Sequence, residues 1–257
     1  MRFWLAAILL GSVASLAQTS DSSPDRGVRI AHDGGVREVL ESIIVPPISN
    51  APFTATLDTE WIRYTGDGGT ITLVNERHIA RDGRGRIYEE RWGLIPKNSD
   101  VKSPMTWIQV ANPKERVLFN CSVQRKVCEL RNYDPTEDLG AAAALRPIPS
   151  GATTRGRMEV EDLGTQNIAG VETIGRRETT TIEAGAIGND QPTSSVREYW
   201  HSQELGLNLL SFRSGPMIGK QTFTITDLTP GEPDGQFFQL PAGYKITDQR
   251  KSPPISW

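Results

Sequence analysis

From residue 51 onward apolar and polar residues alternate with a period of two, and this alternation constrains the fold more than any other feature. In the first such segment one parity is apolar, comprising Phe53, Ala55, Leu57 and Trp61, while the other is polar, comprising Thr54, Thr56, Asp58 and Glu60. Successive side chains of a strand point to opposite faces of a sheet, so the alternation predicts a strand with one buried and one solvated face.

Turn sequences rich in glycine separate the alternating segments. Asp67-Gly68-Gly69 and Asp82-Gly83 each lie between two such segments, which is typical of β-hairpins, and 112–115 is a third turn. We therefore expect a mainly β (α+β) fold, built as a single strongly curved antiparallel sheet or half-barrel of about eleven strands. A sheet of that size must curl or split.

One segment has helical spacing. Apolar residues at Val36, Val39, Leu40, Ile43 and Ile44 predict a short helix over Val36–Val45, which Pro46-Pro47 would end. A helix in this place would lie on the concave face of the sheet.

The 257 residues suggest one β-rich domain, which we assign to residues 36–250. Proline, glycine and an alanine run interrupt the strand pattern at 134–155, and this segment is interpreted as a linker, a short helix or a flap. A second long loop is expected at Glu183–Ser194. The tail at 251–257 is expected to be frayed.

The first residues read as a secretory signal peptide. Arg2 precedes an apolar run at Phe3–Leu10, and small residues follow up to Ala17, so residues 1–17 are expected to be removed and 18–35 to form a flexible leader. A membrane anchor needs roughly 20 apolar residues, and this run is shorter. The sequence thus predicts an exported protein, periplasmic or extracellular, without a stable membrane anchor.

Cys121 and Cys128 are the only cysteines, and in an exported chain they predict one disulfide. The flanking segments 116–123 and 126–133 read as the two arms of a hairpin. Pairing the cysteines across it also places Phe119 opposite Leu130. The bridge closes a small loop, so its stabilisation is expected to reach roughly 2–3 kcal/mol at most.

The charge balance argues against nucleic acid as a partner. The formal net charge is −3, and no basic cluster is present, whereas nucleic-acid-binding domains are strongly basic. Anionic membrane surfaces are disfavoured for the same reason.

No residue pattern indicates catalysis, a metal or a cofactor. The three histidines, His32, His78 and His201, have no partner at a metal-chelating spacing, and no nucleophile elbow or phosphate loop occurs. Adjacent Glu89 and Glu90 would point to opposite faces of a strand, so they are not expected to act together.

Tryptophans on several predicted strands are the remaining candidates for a site. They either pack the core of a large sheet or line an apolar cavity that takes a ligand. The four candidates for such a lining are Trp61, Trp92, Trp107 and Trp200.

The second half of the chain resembles a family of uncharacterised exported bacterial proteins. The segments that carry the resemblance are 163–172, 182–189 and 198–207. Ile-x-Gly-Val at Ile168–Val171, Glu-x-Trp at Glu198–Trp200 and the close at Phe237–Tyr244 are also similar to periplasmic lipoprotein carriers of the LolA/LolB type. The resemblance covers roughly Met158–Ile246 and implies a half-barrel with a helix in its concavity.

Three functions follow as hypotheses. The leading one is an exported, non-enzymatic protein that binds a lipid, lipoprotein or other apolar ligand on the concave face of its sheet. The alternative is an envelope scaffold or sensor that binds another protein through a strand edge or the Glu183–Ser194 loop. A secreted hydrolase is the third.

Overall fold

A computed structural model describes residues 43–136, 150–153 and 155–250. The chain divides into two units, Met1–Glu41 and Ser42–Trp257, and every described residue belongs to the second. The predicted signal peptide, leader and tail, and most of the predicted 134–155 interruption, lie outside the described residues. No helix within the described ranges is both long enough and apolar enough to cross a lipid bilayer.

Fourteen strands form one sheet. Their bounds are β1 Phe53–Tyr64, β2 Thr70–Arg81, β3 Ile87–Trp92, β4 Ile95–Pro96, β5 Met105–Asn112, β6 Val117–Ser122, β7 Val127–Asn132, β8 Gly151–Thr153, β9 Gly156–Ile168, β10 Val171–Ile182, β11 Thr193–Ser202, β12 Leu207–Gly215, β13 Gly219–Pro230 and β14 Lys245–Asp248.

The strand order is β14-β7-β6-β5-β3-β2-β1-β13-β12-β11-β10-β9-β8, with β4 paired to β2. The first strand therefore lies in the middle of the sheet, and the chain proceeds by short connections out to β7. It resumes at the far edge with β8 and returns strand by strand to β13, which pairs with β1. Finally β14 adds parallel to β7, while the other pairings are antiparallel.

The observed sheet has more strands than the eleven or so expected. β4, β8 and β14 contain two, three and four residues, and such short segments carry too few residues for alternation to be recognised. The sheet is open, with β8 and β14 at its edges. The described residues therefore do not confirm the predicted half-barrel.

The predicted helix over Val36–Val45 falls mostly outside the described residues. Ile43, Ile44 and Val45, which are described, form neither helix nor strand. Among the described residues, helix is confined to positions 135 and 136 and to a 3-10 helix at Gly235–Phe238.

The disulfide hairpin is confirmed. Cys121 on β6 and Cys128 on β7 are bonded and lie directly opposite each other, and Phe119 faces Leu130 as expected. Both cysteines are completely buried. The bond fits an oxidising compartment.

The register of the strands defines two faces of the sheet. Directly opposite residues of antiparallel neighbours share a face, and alternate residues of one strand share a face, so assignments pass from β1 to both edges. We name the two sides the Trp61 face and the Trp200 face, after a residue that each contains.

The densest core lies on the Trp61 face of the central strands. Large apolar side chains there are no more than 1% exposed, namely Phe53, Leu57, Ile79, Phe223 and Ile225. The opposite face of β1 and β13 carries half-buried threonines, among them Thr54, Thr222, Thr224 and Thr226. The alternation read from the sequence thus separates a buried face from a solvated one.

On the Trp200 face, the 3-10 helix covers one part of the sheet. Ala80, Tyr88 and Val110 form a buried cluster against which Phe237 and Phe238 pack. The Tyr88 and Phe237 rings lie 5.1 Å apart in a tilted arrangement. Both phenylalanines begin the segment Phe237–Tyr244 that carries part of the family resemblance, and here they pack against this cluster.

Arg81, at the end of β2, is the largest fully buried side chain in the described residues. Its guanidinium donates to three backbone carbonyls, at 2.9 Å to Pro46, 2.7 Å to Ala51 and 2.6 Å to Leu205. Burial lowers the pKa of Arg81 to about 10, so the side chain stays protonated at neutral pH. One cation therefore satisfies carbonyls from two separate connections, the 46–51 segment and the β11–β12 turn.

The bond to Leu205 spans a considerable part of the sheet. β2 and β12 are separated by β1 and β13, which corresponds to about 14 Å at ordinary strand spacing. The β11–β12 turn must therefore lie over the Trp61 face close to β2. Gly85 lies against the 46–51 segment, because a Cβ on it would be 3.0 Å from the Pro47 carbonyl oxygen, and its φ is +80°.

Replacing Arg81 by methionine is expected to destabilise the fold by about 3 kcal/mol or more. Methionine fills a similar volume but leaves three buried carbonyls without their donor, and each unpaired group costs roughly 1–3 kcal/mol. Urea unfolding followed by circular dichroism measures the change. Arg84→Met, at an exposed position in the next turn, is the matched control and should change stability by less than about 0.5 kcal/mol. Equal stability of the two variants would contradict this role for Arg81.

Candidate ligand-binding face

The register separates the four tryptophans that were candidates for a cavity lining. Trp61 on β1 and Trp107 on β5 lie on the Trp61 face, while Trp92 on β3 and Trp200 on β11 lie on the opposite face. A single cavity on one face can therefore take only two of them. The sequence predicts which residues of one strand share a face, but it does not predict the register that relates one strand to the next.

Trp61 is 8% exposed and is held at the edge of the apolar core. Its Nε1 donates to the Ile218 carbonyl at 2.7 Å, and the Arg63 guanidinium lies 5.1 Å from its ring centroid. Leu73 on β2 and Gln221 on β13 are its direct neighbours. Trp61 thus borders apolar residues on one side and polar ones on the other.

Trp107 is half-buried among polar side chains. Arg91 and Ser122 are its opposite partners on β3 and β6, and the Arg125 guanidinium lies 5.5 Å from its ring centroid. This environment differs from that of Trp61, since neither direct cross-strand partner of Trp107 is apolar. The ring thus lies in a polar part of the Trp61 face.

The Trp200 face contains a buried carboxylate that sequence inspection missed. Glu90 is 6% exposed and accepts hydrogen bonds from the Tyr88 hydroxyl at 2.8 Å, Trp92 Nε1 at 2.7 Å and the His78 backbone N–H at 3.2 Å. Burial raises the pKa of Tyr88 above its usual range, and the hydrogen bond to Glu90 raises it further. With three donors the carboxylate is occupied, which suits a structural role.

A similar pair recurs on β11. Trp200 Nε1 donates to Glu198 Oε1 at 3.0 Å, and Arg177 Nη2 donates to Glu198 Oε2 at 2.8 Å while its Nη1 reaches Glu161 at 2.9 Å. The Glu-x-Trp spacing places both side chains on one face, so the motif quoted for the family resemblance forms an internal hydrogen bond here. The same spacing at Glu90 and Trp92 was the signal that could have identified the buried carboxylate.

Two acidic pairs on the strands, Glu89–Glu90 and Glu159–Glu161, are not assembled into a site. Glu89 lies on the Trp61 face and Glu90 on the other, as the alternation required. Glu159 and Glu161 share a face but are exposed, and each is paired with an arginine.

The histidines also lie apart. His32 is outside the described residues, His78 is exposed on β2, and His201 Nδ1 lies 2.9 Å from Asn208 Oδ1. Within residues 43–136, 150–153 and 155–250, no three His, Cys, Asp or Glu side chains form a group that could hold a metal ion.

Buried cations lie among the apolar side chains of the Trp61 face. Arg77 is 6% exposed, and burial lowers its pKa to about 10, with Glu89 and Arg91 as the charges that act on it. On the other half of the sheet, burial and then the Glu178 charge raise the pKa of Tyr199. Glu178 itself is buried and faces Arg197, with 3.8 Å between Oε2 and Nη1. The face therefore combines apolar and buried cationic side chains in its middle and is polar on both sides.

Comparison with known proteins finds low-scoring matches among solved structures. No protein-family model matches the chain, and no curated protein matches it in sequence. The chain is similar to a solved MucA/MucB complex of Pseudomonas aeruginosa, with 14% identity and a TM-score of 0.39, covering 79% of this chain and 60% of that one. It thus spans about three fifths of the length of that protein.

Two further solved structures are similar at lower scores. One is a putative outer membrane lipoprotein-sorting protein domain from Vibrio parahaemolyticus, with 9% identity, a TM-score of 0.18 and coverage of 72% and 88%. The other is a DUF1329 family protein from Desulfovibrio piger, with 11% identity, a TM-score of 0.18 and coverage of 75% and 90%.

Gly175→Ala is expected to destabilise the fold by about 1–3 kcal/mol, the usual effect of overpacking. A Cβ at this position would lie 2.5 Å from the Trp200 ring, which packs across β10, so the indole and its bond to Glu198 would have to move. Gly66→Ala is the control, because nothing lies within 4 Å of its Cβ position. Urea unfolding of both variants checks the prediction, and an unchanged midpoint for Gly175→Ala would refute the close packing of Trp200.

Proposed function

We propose that this protein is an exported, non-enzymatic binding protein that takes a lipid, lipoprotein or other apolar ligand on the Trp61 face of its sheet. The observation that carries the proposal is that exposed apolar side chains, Ile71 and Met217, border the buried apolar centre of one face of the sheet. Ligand sites are commonly apolar surfaces with a few placed polar groups.

An apolar path leads from the buried centre of this face toward solvent. Beyond the buried side chains lie Trp61, then its half-buried cross-strand partner Leu73, then Ile71, which is 46% exposed. All three share the Trp61 face and run toward the β1–β2 turn. The adjacent β12–β13 turn, whose Ile218 carbonyl bonds Trp61, presents Met217 with 82% of its surface exposed.

Exposed apolar side chains next to a buried apolar face are what the entry to a lipid site requires. Burying a side chain of this size stabilises a complex by roughly 1.5–3 kcal/mol. Contact with Ile71 and Met217 would therefore help to hold an acyl chain at the opening. Polar groups on both sides of the apolar centre would limit where the chain lies.

Two variants of adjacent residues test the proposal. Leu73→Glu places a charge on the Trp61 face and Val74→Glu places one on the opposite face, and both residues are half-buried on β2. Titration with the apolar fluorescent probe N-phenyl-1-naphthylamine should show binding that Leu73→Glu weakens at least tenfold. The Val74→Glu control should bind within about twofold of the parent protein.

Circular dichroism of each variant establishes that the fold is kept. If both variants bind as the parent does, or if the parent binds no probe, the Trp61 face is not the ligand site.

The β10–β11 loop supports a second candidate, a scaffold or sensor that binds another protein. Asn189 organises this loop, since its Nδ2 donates to the Glu183 carbonyl at 3.0 Å and to the Gln191 carbonyl at 2.7 Å. Its Oδ1 accepts from the Ile187 backbone N–H at 3.2 Å. The ordered loop leaves Ile187 48% exposed at its tip. A fixed, exposed apolar side chain of this kind is suited to a protein interface.

Ile187→Asp tests the second candidate, because it removes the apolar contact and leaves the Asn189 hydrogen bonds in place. If the loop is the interface, the variant should lose the partner that the parent protein captures by cross-linking in host cells. Ala186→Asp, at the exposed neighbouring position, is the control and should keep it. Equal capture by both variants would exclude the loop as the interface.

A further inference from the structure

A row of planar polar side chains crosses the Trp61 face from the edge of the apolar centre, where Glu89 pairs with Ile79, out to β7. Glu89 on β3, Gln109 on β5, Asn120 on β6 and Glu129 on β7 are successive cross-strand partners. Neighbouring Cβ atoms in such a row are about 4.5–5.5 Å apart. We call these four residues the polar row.

Two polar atoms in and beside the row are buried without a hydrogen-bond partner among the described residues. One is the acceptor Asn120 Oδ1, on a residue that is 3% exposed, and the other is the donor Nε of Arg131. Arg131 lies two residues beyond Glu129 on the same face. A buried polar group without a partner costs roughly 1–3 kcal/mol, so a fold retains such groups only when something compensates for them.

The unpartnered atoms define the chemistry of a fitting group. An acceptor and a donor on neighbouring strands are both satisfied by a group that donates and accepts, and a hydroxyl does both. The row presents charges of both signs, since Glu129 pairs with Arg125 and Arg131 and Glu89 lies beside Arg77 and Arg91, so an ion of either sign would meet like charges. A neutral ligand with several hydroxyl groups therefore fits better than an ion.

Neighbouring contacts hold the row in place before any ligand binds. Arg91 Nε donates to Gln109 Oε1 at 2.7 Å, and Arg131 Nη2 donates to Glu129 Oε2 at 2.7 Å. Side chains that are already ordered lose little entropy on binding. Trp107, in the next row, is half-buried and offers an aromatic surface beside these groups.

We propose that the polar row, with Arg131 and Trp107, is a binding subsite for a neutral saccharide. Its hydroxyl groups would pair with Asn120 Oδ1 and Arg131 Nε, its other hydroxyls with Gln109 and the carboxylates, and its apolar C–H surface with the indole. The subsite goes beyond the proposed lipid-type function. It uses different strands of the same face, so either proposal stands if the other fails.

Calorimetric titration with maltohexaose, cellohexaose and chitohexaose tests the subsite. We expect the parent protein to bind at least one of them, and Gln109→Ala and Trp107→Ala each to weaken that binding at least tenfold. Asn132→Ala changes an exposed residue of β7 on the opposite face, and this control should bind within about twofold of the parent protein.

Hydrogen exchange of the unaltered protein tests the same subsite without a variant, so it applies even if a variant does not fold. The bound saccharide should slow exchange in β3, β5, β6 and β7 and leave β10 and β11 unchanged. If the protein binds none of the three saccharides, as when buried water fills the row, the proposal is overturned. So would protection confined to other strands.

The Leu73→Glu variant separates the two proposals. If saccharide binding survives in it while N-phenyl-1-naphthylamine binding is lost, the two sites are distinct. Loss of saccharide binding in the folded Leu73→Glu variant would place the saccharide at the apolar site and overturn the polar-row subsite.

Discussion

Each face of a large β-sheet must find its own cover, and this constraint shapes the whole of the described structure. All fourteen strands belong to one sheet, so no second sheet among the described residues covers the apolar side of the first. The protein concentrates Phe53, Leu57, Phe223 and their neighbours on the Trp61 face and gives the other side of the central strands threonines that tolerate water. Where the Trp200 face is also apolar, the 3-10 helix covers it with Phe237 and Phe238.

Arg81 shows how such a sheet fixes its connections. A buried guanidinium is costly to desolvate, and it is retained where several acceptors compensate for the cost. Here the carbonyls of Pro46, Ala51 and Leu205 provide that compensation, and they come from chain segments far apart in sequence. Arg81 thereby secures the connections that border the apolar centre, and it links the fold to the face on which we place the ligand.

The parts of the fold encoded locally were predictable from the sequence. Alternation located the long strands, the Asp-Gly turns located hairpins, and the cysteine spacing located the disulfide with Phe119 opposite Leu130. Long-range features were not predictable, because no local pattern encodes them. The parallel pairing of β14 with β7, the three carbonyls of Arg81 and the division of the tryptophans between two faces all depend on strand order and register. The polar row was missed for the same reason, since its four residues lie on four strands.

Native mass spectrometry of the protein purified from its own host shows whether the Trp61 face holds a ligand. We expect a fraction of the molecules to carry an added mass that organic solvent releases, and we expect this mass to be absent from folded Leu73→Glu protein prepared in the same way. A protein that is consistently free of added mass, or one whose bound mass is unaffected by the Leu73→Glu change, would contradict this expectation.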